Sequence, residues 1–321
     1  MPSSSASTTE KIVATGPVAP PTREILGEVV VAPSNDEETL LPLVASAVGL
    51  IVRSGSRVSA RLIDAAPSLR VIGRSGVGFD EIDLDAATRR GIPVVITPDA
   101  SAQAVAEGAL AMILCLAKDL VGLDAAVRAG RWRERDEADL RDLEGATLGI
   151  VGLGRIGRRL AALARPFGMG VLAFDPYVER AEGVELVGLE ALFRWSDYVS
   201  LHAPLTTETR GMVDARLLAF AGPGAILVNL ARGGLVRSLD DLLGALESGA
   251  LHAVGLDVFE PEPPNLSHPI FRHPRVLVSP HALGMTRVAK RRIFEEMSLG
   301  MAAVLRGQRP SAVANPEVYG A

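Results

Sequence analysis

The sequence is poor in cysteine and histidine. Its single thiol, Cys115, excludes an internal disulfide and a metal cluster built from cysteines. One free cysteine is typical of the reducing cytoplasm, so a cytoplasmic location is expected. Only five histidines are present, and no H-x-x-H pattern or carboxylate cluster indicates a metal site. We therefore expect a protein without a bound metal.

Excess positive charge and long apolar runs are also lacking. The net charge of −5 provides no basic stripe for nucleic acid. The longest apolar run, AVAEGALAMILCLA, contains Glu107 and is too short and too polar to span a membrane. The first residues lack the basic and apolar regions of a signal peptide, and their Ser/Thr-rich composition predicts a disordered tail over residues 1–10. We expect a chain that binds neither nucleic acid nor membrane.

Regular alternation of short apolar runs with helical stretches is the main feature that is present. A length of 321 residues suggests two domains. The apolar runs of the first unit, residues 11–100, are KIVAT, EVVVAP, GLIVRS, RVIGRS and IPVVIT. One long apolar helix is predicted from Ser101 to Ala129. A second series of runs then comprises TLGIVG, GVLAFD, YVSLHAP, AILVNLA, AVGLDVF and RVLVSP, before a last helix at about Thr286 to Arg306. This alternation predicts doubly wound parallel sheets of the α/β class.

A glycine-rich stretch, GIVGLGRIGRRLAALA, joins the first run of the second series to a helical pattern. Gly152, Gly154 and Gly157 match the G-x-G-x-x-G order of dinucleotide-binding loops. The first glycine allows a tight turn, the second lets a pyrophosphate approach the backbone, and the third lets the helix pack on the strand. The N–H groups and the dipole at the helix start favour phosphates, so the stretch predicts a dinucleotide site.

Asp175 ends the next apolar run and bears on the choice of cofactor. A carboxylate at this position accepts hydrogen bonds from both ribose hydroxyls and repels a 2′-phosphate. No arginine directly follows Asp175, so NAD is expected in preference to NADP. The structural alternative is that Asp175 only caps the turn before Pro176.

Three further runs of the second series end in residues that can carry chemistry. ILVNLARGG contains Arg232, VGLDVFEPEPP contains Asp257, Glu260 and Glu262, and VLVSPHALG contains His281. In open α/β sheets, ligands bind outside the carboxyl ends of the strands. A histidine can move the hydroxyl proton during hydride transfer, a carboxylate behind it can hold the ring, and an arginine can bind a substrate carboxylate through two donors. The combination predicts a hydride-transfer site.

These motifs resemble those of the D-isomer-specific 2-hydroxyacid dehydrogenase family, which includes phosphoglycerate, glycerate and D-lactate dehydrogenases. LGIVGLGRIGRRLA, NLARGGLV, GLDVFEPEPP and SPHALG carry the resemblance in the family's order and spacing. It implies an α/β protein with two doubly wound parallel-sheet domains. A Rossmann NAD-binding domain, residues 101–286, is inserted in a flavodoxin-like substrate domain, residues 11–100 and 287–321. A homodimer is also implied, and the predicted apolar helix 101–129 favours it because one domain covers only part of that helix.

The resemblance implies roles for single residues. Arg232 is the expected substrate-binding arginine and His281 the acid/base. Glu262 is the expected carboxylate partner in preference to Glu260, because the family's glutamate stands five positions after the strand aspartate, here Asp257, and directly before a proline. The cofactor-binding residues implied are Gly152, Gly154, Arg155, Ile156, Gly157, Asp175, His202, Ala203, Pro204, Leu230, Ala231, Asp257, His281 and Gly284. His202 either lines the adenine side or is a satisfied turn histidine.

A loop of the first unit, SGVGFD, lies in another stretch that matches the family. Its backbone N–H groups can bind a carboxylate, as glycine-rich loops do. The expected substrate contacts in it are Ser75, Gly76, Val77 and Gly78. Arg53 and Arg74 end neighbouring predicted strands, and they either meet a second anionic group of the substrate or are ordinary strand-end cations.

Different functions are compatible with these motifs. The first is an NAD-dependent D-2-hydroxyacid dehydrogenase, with 3-phosphoglycerate, glycerate or hydroxypyruvate, or glyoxylate as candidate substrates. The alternative is a non-enzymatic NAD(H)-sensing module, because the transcriptional corepressors that resemble the family keep the same three residues. A formate dehydrogenase is disfavoured, since that relative has glutamine where this chain has Glu262. The chain ends at Ala321, soon after the last predicted helix, so no C-terminal regulatory domain is expected.

Overall fold

The computed structural model describes residues 11–320 of the chain. The tail predicted for residues 1–10 lies outside this range. The chain divides into two compact units, one made of residues up to Ser101 together with those from Thr286 onward, the other of Ala102–Met285. Both units contain a parallel sheet with helices, which confirms the predicted α/β fold class.

Five strands in the described part of the first unit form one parallel sheet. They are β1 (Ile12–Ala14), β2 (Val29–Val31), β3 (Gly49–Val52), β4 (Val71–Arg74) and β5 (Val94–Val95). Each lies within one of the predicted apolar runs, and their order, β2-β1-β3-β4-β5, is the flavodoxin-like order. Strands β3 and β4 are buried along their whole length, as expected for strands whose two faces are covered.

Helices pack around this first sheet. The α-helices of the described first unit are Pro20–Leu26, Glu37–Val44, Ala60–Asp64, Leu84–Arg89 and Arg287–Leu305. The last agrees with the predicted helix Thr286–Arg306, and it buries Ile293, Met297 and Met301, which lie four residues apart on one face. A Cβ on Gly73 would lie 2.2 Å from Met301 Sδ, so a glycine in β4 is what lets this helix approach the sheet closely.

Seven strands of residues 102–285, all of which the structure describes, form the second sheet. They are β6 (Thr147–Val151), β7 (Gly170–Phe174), β8 (Glu185–Leu186), β9 (Tyr198–Leu201), β10 (Ala225–Asn229), β11 (Leu251–Leu256) and β12 (Val276–Val278). The spatial order β12-β11-β10-β9-β6-β7-β8 is the Rossmann order with one further edge strand, β12. Six strands match the predicted runs. The seventh, β8, is only two residues long and has no periodic signal of its own.

Two apolar cores cover the faces of the second sheet. Ile226 and Val228 of β10 belong to one cluster, and Leu227 between them belongs to the other. Alternate side chains of a strand point to opposite faces, so every central strand contributes to both cores. Burial on both faces leaves the carboxyl ends of the strands as the edge where polar side chains are available.

The prediction of one continuous helix from Ser101 to Ala129 is wrong. Two helices, Ala102–Ala117 and Leu120–Arg128, are separated at Asp119, whose φ is 42°. A residue in the left-handed region cannot continue a right-handed helix. The first helix is largely buried, whereas the second exposes the apolar side chains of Leu120, Val121 and Val127.

The other α-helices of the second unit, within its described residues, are Arg155–Ala164, Leu189–Trp195, Ala215–Leu218 and Leu239–Glu247. The last begins at Ser238, whose side chain accepts a hydrogen bond from Asp241 N at 3.1 Å, an ordinary N-cap. None of the helices within residues 11–320 has the length and apolar character that crossing a bilayer requires.

Candidate active site

The glycine-rich loop after β6 has the geometry that its sequence predicts. Gly152 has a φ of 95°, and a Cβ on it would lie 2.7 Å from Ala203 N. A Cβ on Gly157 would lie 2.3 Å from Gly152 O. Both distances are far below normal contact, so each position requires glycine for a different reason: a turn at Gly152 and the close approach of the helix at Gly157.

Gly154 stands at the N-cap of helix Arg155–Ala164. No heavy atom lies within 4 Å of the position that a Cβ would take there, so the space beside the helix start is open. The first amides of a helix have no intrahelical acceptor, and together with the dipole they favour an anion. Arg155 and Ile156 are the first two residues of this helix. The residues present therefore fit a dinucleotide pyrophosphate at this loop.

Asp175 follows β7 and connects the glycine loop to the next turn. Its Oδ2 accepts a hydrogen bond from Leu153 N at 2.8 Å, and its Oδ1 accepts one from Tyr177 N at 2.9 Å. Asp175 therefore does cap the turn before Pro176, as the structural alternative predicted. This does not exclude the ribose role, because each carboxylate oxygen can accept two hydrogen bonds and the side chain is partly exposed.

His202, Ala203 and Pro204 follow β9 beside the glycine loop. His202 N donates to Val151 O at 2.7 Å, and the ring Nε2 lies 2.8 Å from Ser200 Oγ. Burial lowers the pKa of His202 to about 4, so its ring is neutral at pH 7. The backbone of Ala203 packs on Gly152. His202 therefore has a hydrogen-bond partner for its ring Nε2, as the structural alternative predicted. It also lies next to the predicted cofactor loop, so that contact does not exclude a role at the adenine side.

His281 and Glu262 form a direct hydrogen bond. His281 Nδ1 lies 2.9 Å from Glu262 Oε2, while Glu262 Oε1 accepts from Phe259 N at 3.0 Å. Burial alone would raise the pKa of Glu262. The hydrogen bonds from His281 and Phe259 N, with the positive charges of His281 and Arg232, outweigh it and hold the pKa below its usual value. A charged carboxylate therefore supports the imidazole.

Glu260, the other glutamate of the EPEPP loop, has a different partner. Both of its carboxylate oxygens lie 2.8 Å from Arg210 Nη1. Both side chains are about half exposed, so this is a surface ion pair of small energetic value. Of the two glutamates, Glu262 is the one bonded to the histidine.

Asp257 lies at the end of β11 and is buried, with 2% of its surface exposed. Its Oδ1 accepts hydrogen bonds from Ser279 Oγ at 2.6 Å and from Ala282 N at 2.9 Å. Its backbone oxygen accepts from His281 N at 2.7 Å. The residue predicted to contact the nicotinamide end thus also holds the turn on which His281 lies.

Arg232 follows β10 in a loop whose backbone is hydrogen-bonded to a buried side chain. Its Nη1 donates to Ala231 O at 2.8 Å. The side-chain amide of the fully buried Asn229 donates to Arg232 O at 2.8 Å and accepts from Ala231 N at 3.0 Å. Leu230, predicted with Ala231 to bind cofactor, contributes to the core below this loop. The conformation that presents Arg232 is therefore fixed by a polar side chain at the end of the strand.

Small residues let these loops approach each other and the buried helix Ala102–Ala117. A Cβ on Gly233 would lie 2.1 Å from the carbonyl carbon of Phe259, in the glutamate loop. A Cβ on Gly284 would lie 2.7 Å from Val105 Cγ2. Gly284, predicted as a cofactor contact, thus has a packing requirement of its own.

Sequence reasoning missed several residues of this region. They are Asn229, Gly233 and Ser279. A signal was available for Asn229, because it is a polar residue inside the apolar run AILVNLA. Ser279 gave none, since a serine before a proline is common in turns.

The SGVGFD loop of the first unit was predicted to bind a carboxylate through its backbone N–H groups, and its hydrogen bonds bear on that prediction. The N–H groups of Ser75 and Gly76 are used within the protein, by Val52 O at 3.0 Å and Arg74 O at 2.8 Å. The Ser75 amide is therefore occupied by strand β3 and the Gly76 amide by the turn, in which Gly76 has a φ of 147°. The expectation of carboxylate-binding amides remains a prediction for Val77 and Gly78.

Arg53 and Arg74 both have structural partners in the first unit. Arg53 donates to Pro17 O and lies over the Phe294 ring, with 5.0 Å from Cζ to the centroid. Arg74 is 5% exposed, donates to Ser75 O at 2.9 Å and lies 3.4 Å from Glu81 Oε2. These contacts match the strand-end alternative, and a substrate role for either arginine stays a prediction. Among residues 11–320, no group of three or more potential metal ligands occurs.

Comparison with known proteins identifies what the chain is similar to. A family model described as the NAD binding domain of D-isomer specific 2-hydroxyacid dehydrogenase matches residues 110–282. A curated relative from Mycobacterium leprae, named D-3-phosphoglycerate dehydrogenase, is 41% identical over 277 residues, which make up 85% of this chain and 52% of the relative. The chain thus spans about half the length of that curated relative.

Solved structures match over nearly the whole chain. The TT0316 protein from Thermus thermophilus is 36% identical, with a TM-score of 0.89 over 95% of this chain and 99% of that one. A D-lactate dehydrogenase from Aquifex aeolicus, solved with NAD and lactic acid, is 30% identical, with a TM-score of 0.84 over 92% and 96% of the two chains. The similarity therefore includes both units.

Proposed function

The chain belongs to the D-isomer specific 2-hydroxyacid dehydrogenase family, and from this premise we propose that it is an NAD-dependent oxidoreductase that interconverts a D-2-hydroxy acid and its 2-oxo acid. The observation that carries the proposal is the hydrogen bond between His281 Nδ1 and Glu262 Oε2 at 2.9 Å. A histidine held in this way by a carboxylate is suited to acid/base work near neutral pH.

His281 is the proposed acid/base. With Nδ1 bound to Glu262, the imidazole uses Nε2 to take the proton of the substrate hydroxyl during oxidation and to return it during reduction. Glu262 fixes the orientation of the ring through this hydrogen bond. Bound NAD would supply the hydride acceptor for the hydroxyl-bearing carbon, and bound NADH the hydride donor for the 2-oxo acid.

Arg232 is proposed to bind the carboxylate of the substrate. A guanidinium has paired donors in a plane that match the two oxygens of a carboxylate, which orients the neighbouring carbon as well as binding it. The hydrogen bond from Asn229 to Arg232 O supports this role, because it fixes the backbone from which the guanidinium extends.

The glycine loop after β6, Asp175 and the turn His202–Pro204 are proposed to hold NAD. Support comes from the open space at Gly154, from the start of helix Arg155–Ala164, and from the match to the family's NAD binding domain. The residues around Leu230, Asp257 and Gly284 are proposed to contribute at the nicotinamide end.

For the substrate, 3-phosphoglycerate with its oxo form, 3-phosphohydroxypyruvate, is the first candidate. Its support is the name of the relative that is 41% identical. Hydroxypyruvate, glyoxylate and pyruvate are small alternatives with no second anionic group. We also propose a homodimer in the cytoplasm. The dimer is supported by the exposed apolar side chains of Leu120, Val121 and Val127, and light scattering at micromolar concentration tests it.

A substrate screen tests the proposed function. The full chain and its His281→Ala variant are assayed for NADH consumption with phosphohydroxypyruvate, hydroxypyruvate, glyoxylate, pyruvate and 2-oxoglutarate. We expect turnover with at least one of these acids and a loss of about 10²- to 10⁴-fold in kcat for the variant, with unchanged NADH binding. A chain that binds NADH and reduces none of them would instead match the NAD-sensing alternative.

A further inference from the structure

The turn that carries His281 is tied to a single buried carboxylate. Asp257 Oδ1 accepts hydrogen bonds from Ser279 Oγ at 2.6 Å and from Ala282 N at 2.9 Å, and Leu283 N lies 3.3 Å from Asp257 Oδ2. These donors stand on both sides of His281 in the chain. Asp257 itself is 2% exposed, so solvent does not compete effectively for its oxygens.

His281 adopts a backbone conformation that needs such support. Its φ is 52°, in the left-handed region that side chains other than glycine rarely adopt. A residue in that region persists only where its surroundings hold it. His281 N is bonded to Asp257 O at 2.7 Å, so backbone and side chain of Asp257 act on the same turn.

Ser279 is the only side-chain donor among the bonds to Asp257 described above. The short distance from its hydroxyl to the carboxylate is typical of a charge-assisted hydrogen bond. Ser279 also begins the turn, because its N–H makes a regular bond to Leu256 O at 2.9 Å. Its side chain therefore links the end of β12 to the carboxylate that holds the residues after His281.

We propose that Ser279 is a positioning residue for the acid/base: its hydroxyl orients Asp257, and through Asp257 it holds His281 in the left-handed conformation from which the imidazole meets Glu262. This inference rests on the proposed function for its kinetic consequence. Misplacement of a catalytic group by about 1 Å can cost on the order of a hundredfold in rate. Ser279 touches none of the reacting groups. It bonds Asp257, which is also proposed to lie at the nicotinamide end, so a double variant with His281→Ala decides whether its effect passes through His281.

The kinetic test compares three variants on the best substrate of the screen. We expect Ser279→Ala to lower kcat about 10- to 100-fold while KM for NADH changes less than about twofold. Ser279→Thr keeps the hydroxyl and should recover most of kcat. Ser238→Ala is the matched control, because Ser238 is also half-buried, in the same unit, and makes an ordinary N-cap bond. It should lower thermal stability by about as much as Ser279→Ala and leave kcat unchanged.

A double variant tests whether the effect passes through His281. In the His281→Ala background, Ser279→Ala should change the residual rate by less than about twofold, since residues that act as a unit are not additive. An equal loss of rate in both backgrounds would overturn the proposal. So would equal kcat losses for Ser279→Ala and Ser238→Ala.

A spectroscopic readout separates this inference from the proposed function. The chain has five histidines, and the imidazole resonance of His281 is assigned by its loss in His281→Ala. We expect that resonance to move in Ser279→Ala, return in Ser279→Thr and stay in place in Ser238→Ala. If the protein turns over no substrate but the resonance moves, the proposed function fails and the positioning role stands. An unmoved resonance overturns the positioning role.

Discussion

Glu262 and His281, 19 positions apart in the chain, meet with 2.9 Å between Oε2 and Nδ1. The pKa of Glu262 lies below its usual value, because hydrogen bonds and neighbouring positive charges outweigh the effect of burial. A carboxyl with a lowered pKa stays ionised throughout the neutral range, so His281 faces a full negative charge at every pH at which an acid/base of this kind works.

Replacing Glu262 with glutamine removes that charge and keeps an oxygen near the ring. We expect kcat/KM for oxo-acid reduction to fall about 10- to 100-fold, because the ring loses the charged hydrogen-bond partner that orients it. Steady-state assays at a fixed neutral pH measure the loss. Glu260→Gln is the control, since Glu260 pairs with Arg210, and its kcat/KM should not change. Equal losses for both variants would contradict the pairing of Glu262 with His281.

Asp175 should set the preference for NAD. We expect the unmodified protein to favour NADH over NADPH by at least about tenfold in kcat/KM, since ~1.4 kcal/mol of repulsion of a 2′-phosphate suffices. Asp175→Asn removes the charge and keeps an acceptor for Leu153 N, so it should narrow the preference without disturbing the glycine loop. Asp175→Ala loses that bond too and should also weaken NADH binding. Equal use of both cofactors by the unmodified protein would refute the argument.

Arg53 and Arg74 distinguish two kinds of substrate. If either arginine binds a second anionic group, its alanine variant should raise KM for phosphohydroxypyruvate about 10- to 150-fold, the worth of one charge-assisted hydrogen bond, and barely change KM for glyoxylate. Arg90→Ala is the control in the same unit, because Arg90 donates to the backbone oxygen of Ile63. If both substrates respond alike, the contacts to Phe294 and Glu81 are the whole role of the two arginines.

His202 should make the second unit less stable in mild acid. Its pKa is lowered to about 4 by burial, from an ordinary value of 6.5. Protonation therefore favours the unfolded chain, and stability that is complete above about pH 6.5 is lost as the pH falls toward 4. Between pH 7.5 and pH 5.0 the loss from this residue is about 2 kcal/mol.

Denaturation followed by tryptophan fluorescence measures this loss, because Trp132 and Trp195 both lie in the unit that contains His202. His202→Asn should lose less stability than the unmodified protein over the same pH interval, by about the same 2 kcal/mol. An identical pH dependence in the two proteins would show that His202 is not buried in its neutral form.

Much of the architecture was predictable because it depends on local sequence patterns. Every predicted apolar run forms a strand, since four or five consecutive apolar residues between turn residues have few stable arrangements other than a buried strand. Gly152 and Gly157 were identifiable for a similar reason. The apolar run before them and the helical pattern after them predict the turn and the helix that require glycine at these positions. The helix Ser101–Ala129 failed because apolar residues continue past Asp119, and composition does not reveal a single left-handed residue.

The sequence by itself determined the fold class, the cofactor loop and the identities of Arg232, Glu262 and His281 as candidate chemistry. Only the tertiary structure decided which groups hold them. The bond between Ser279 and Asp257 joins residues 22 positions apart, and in the structure Glu262 contacts His281 whereas Glu260 pairs with Arg210. Such bonds depend on the register of neighbouring strands and on the φ of one residue in a turn. Strand register and the φ of a single turn residue produce no periodic sequence pattern. Both are fixed by packing between distant segments of the chain and not by the conformational preferences of residues within one segment.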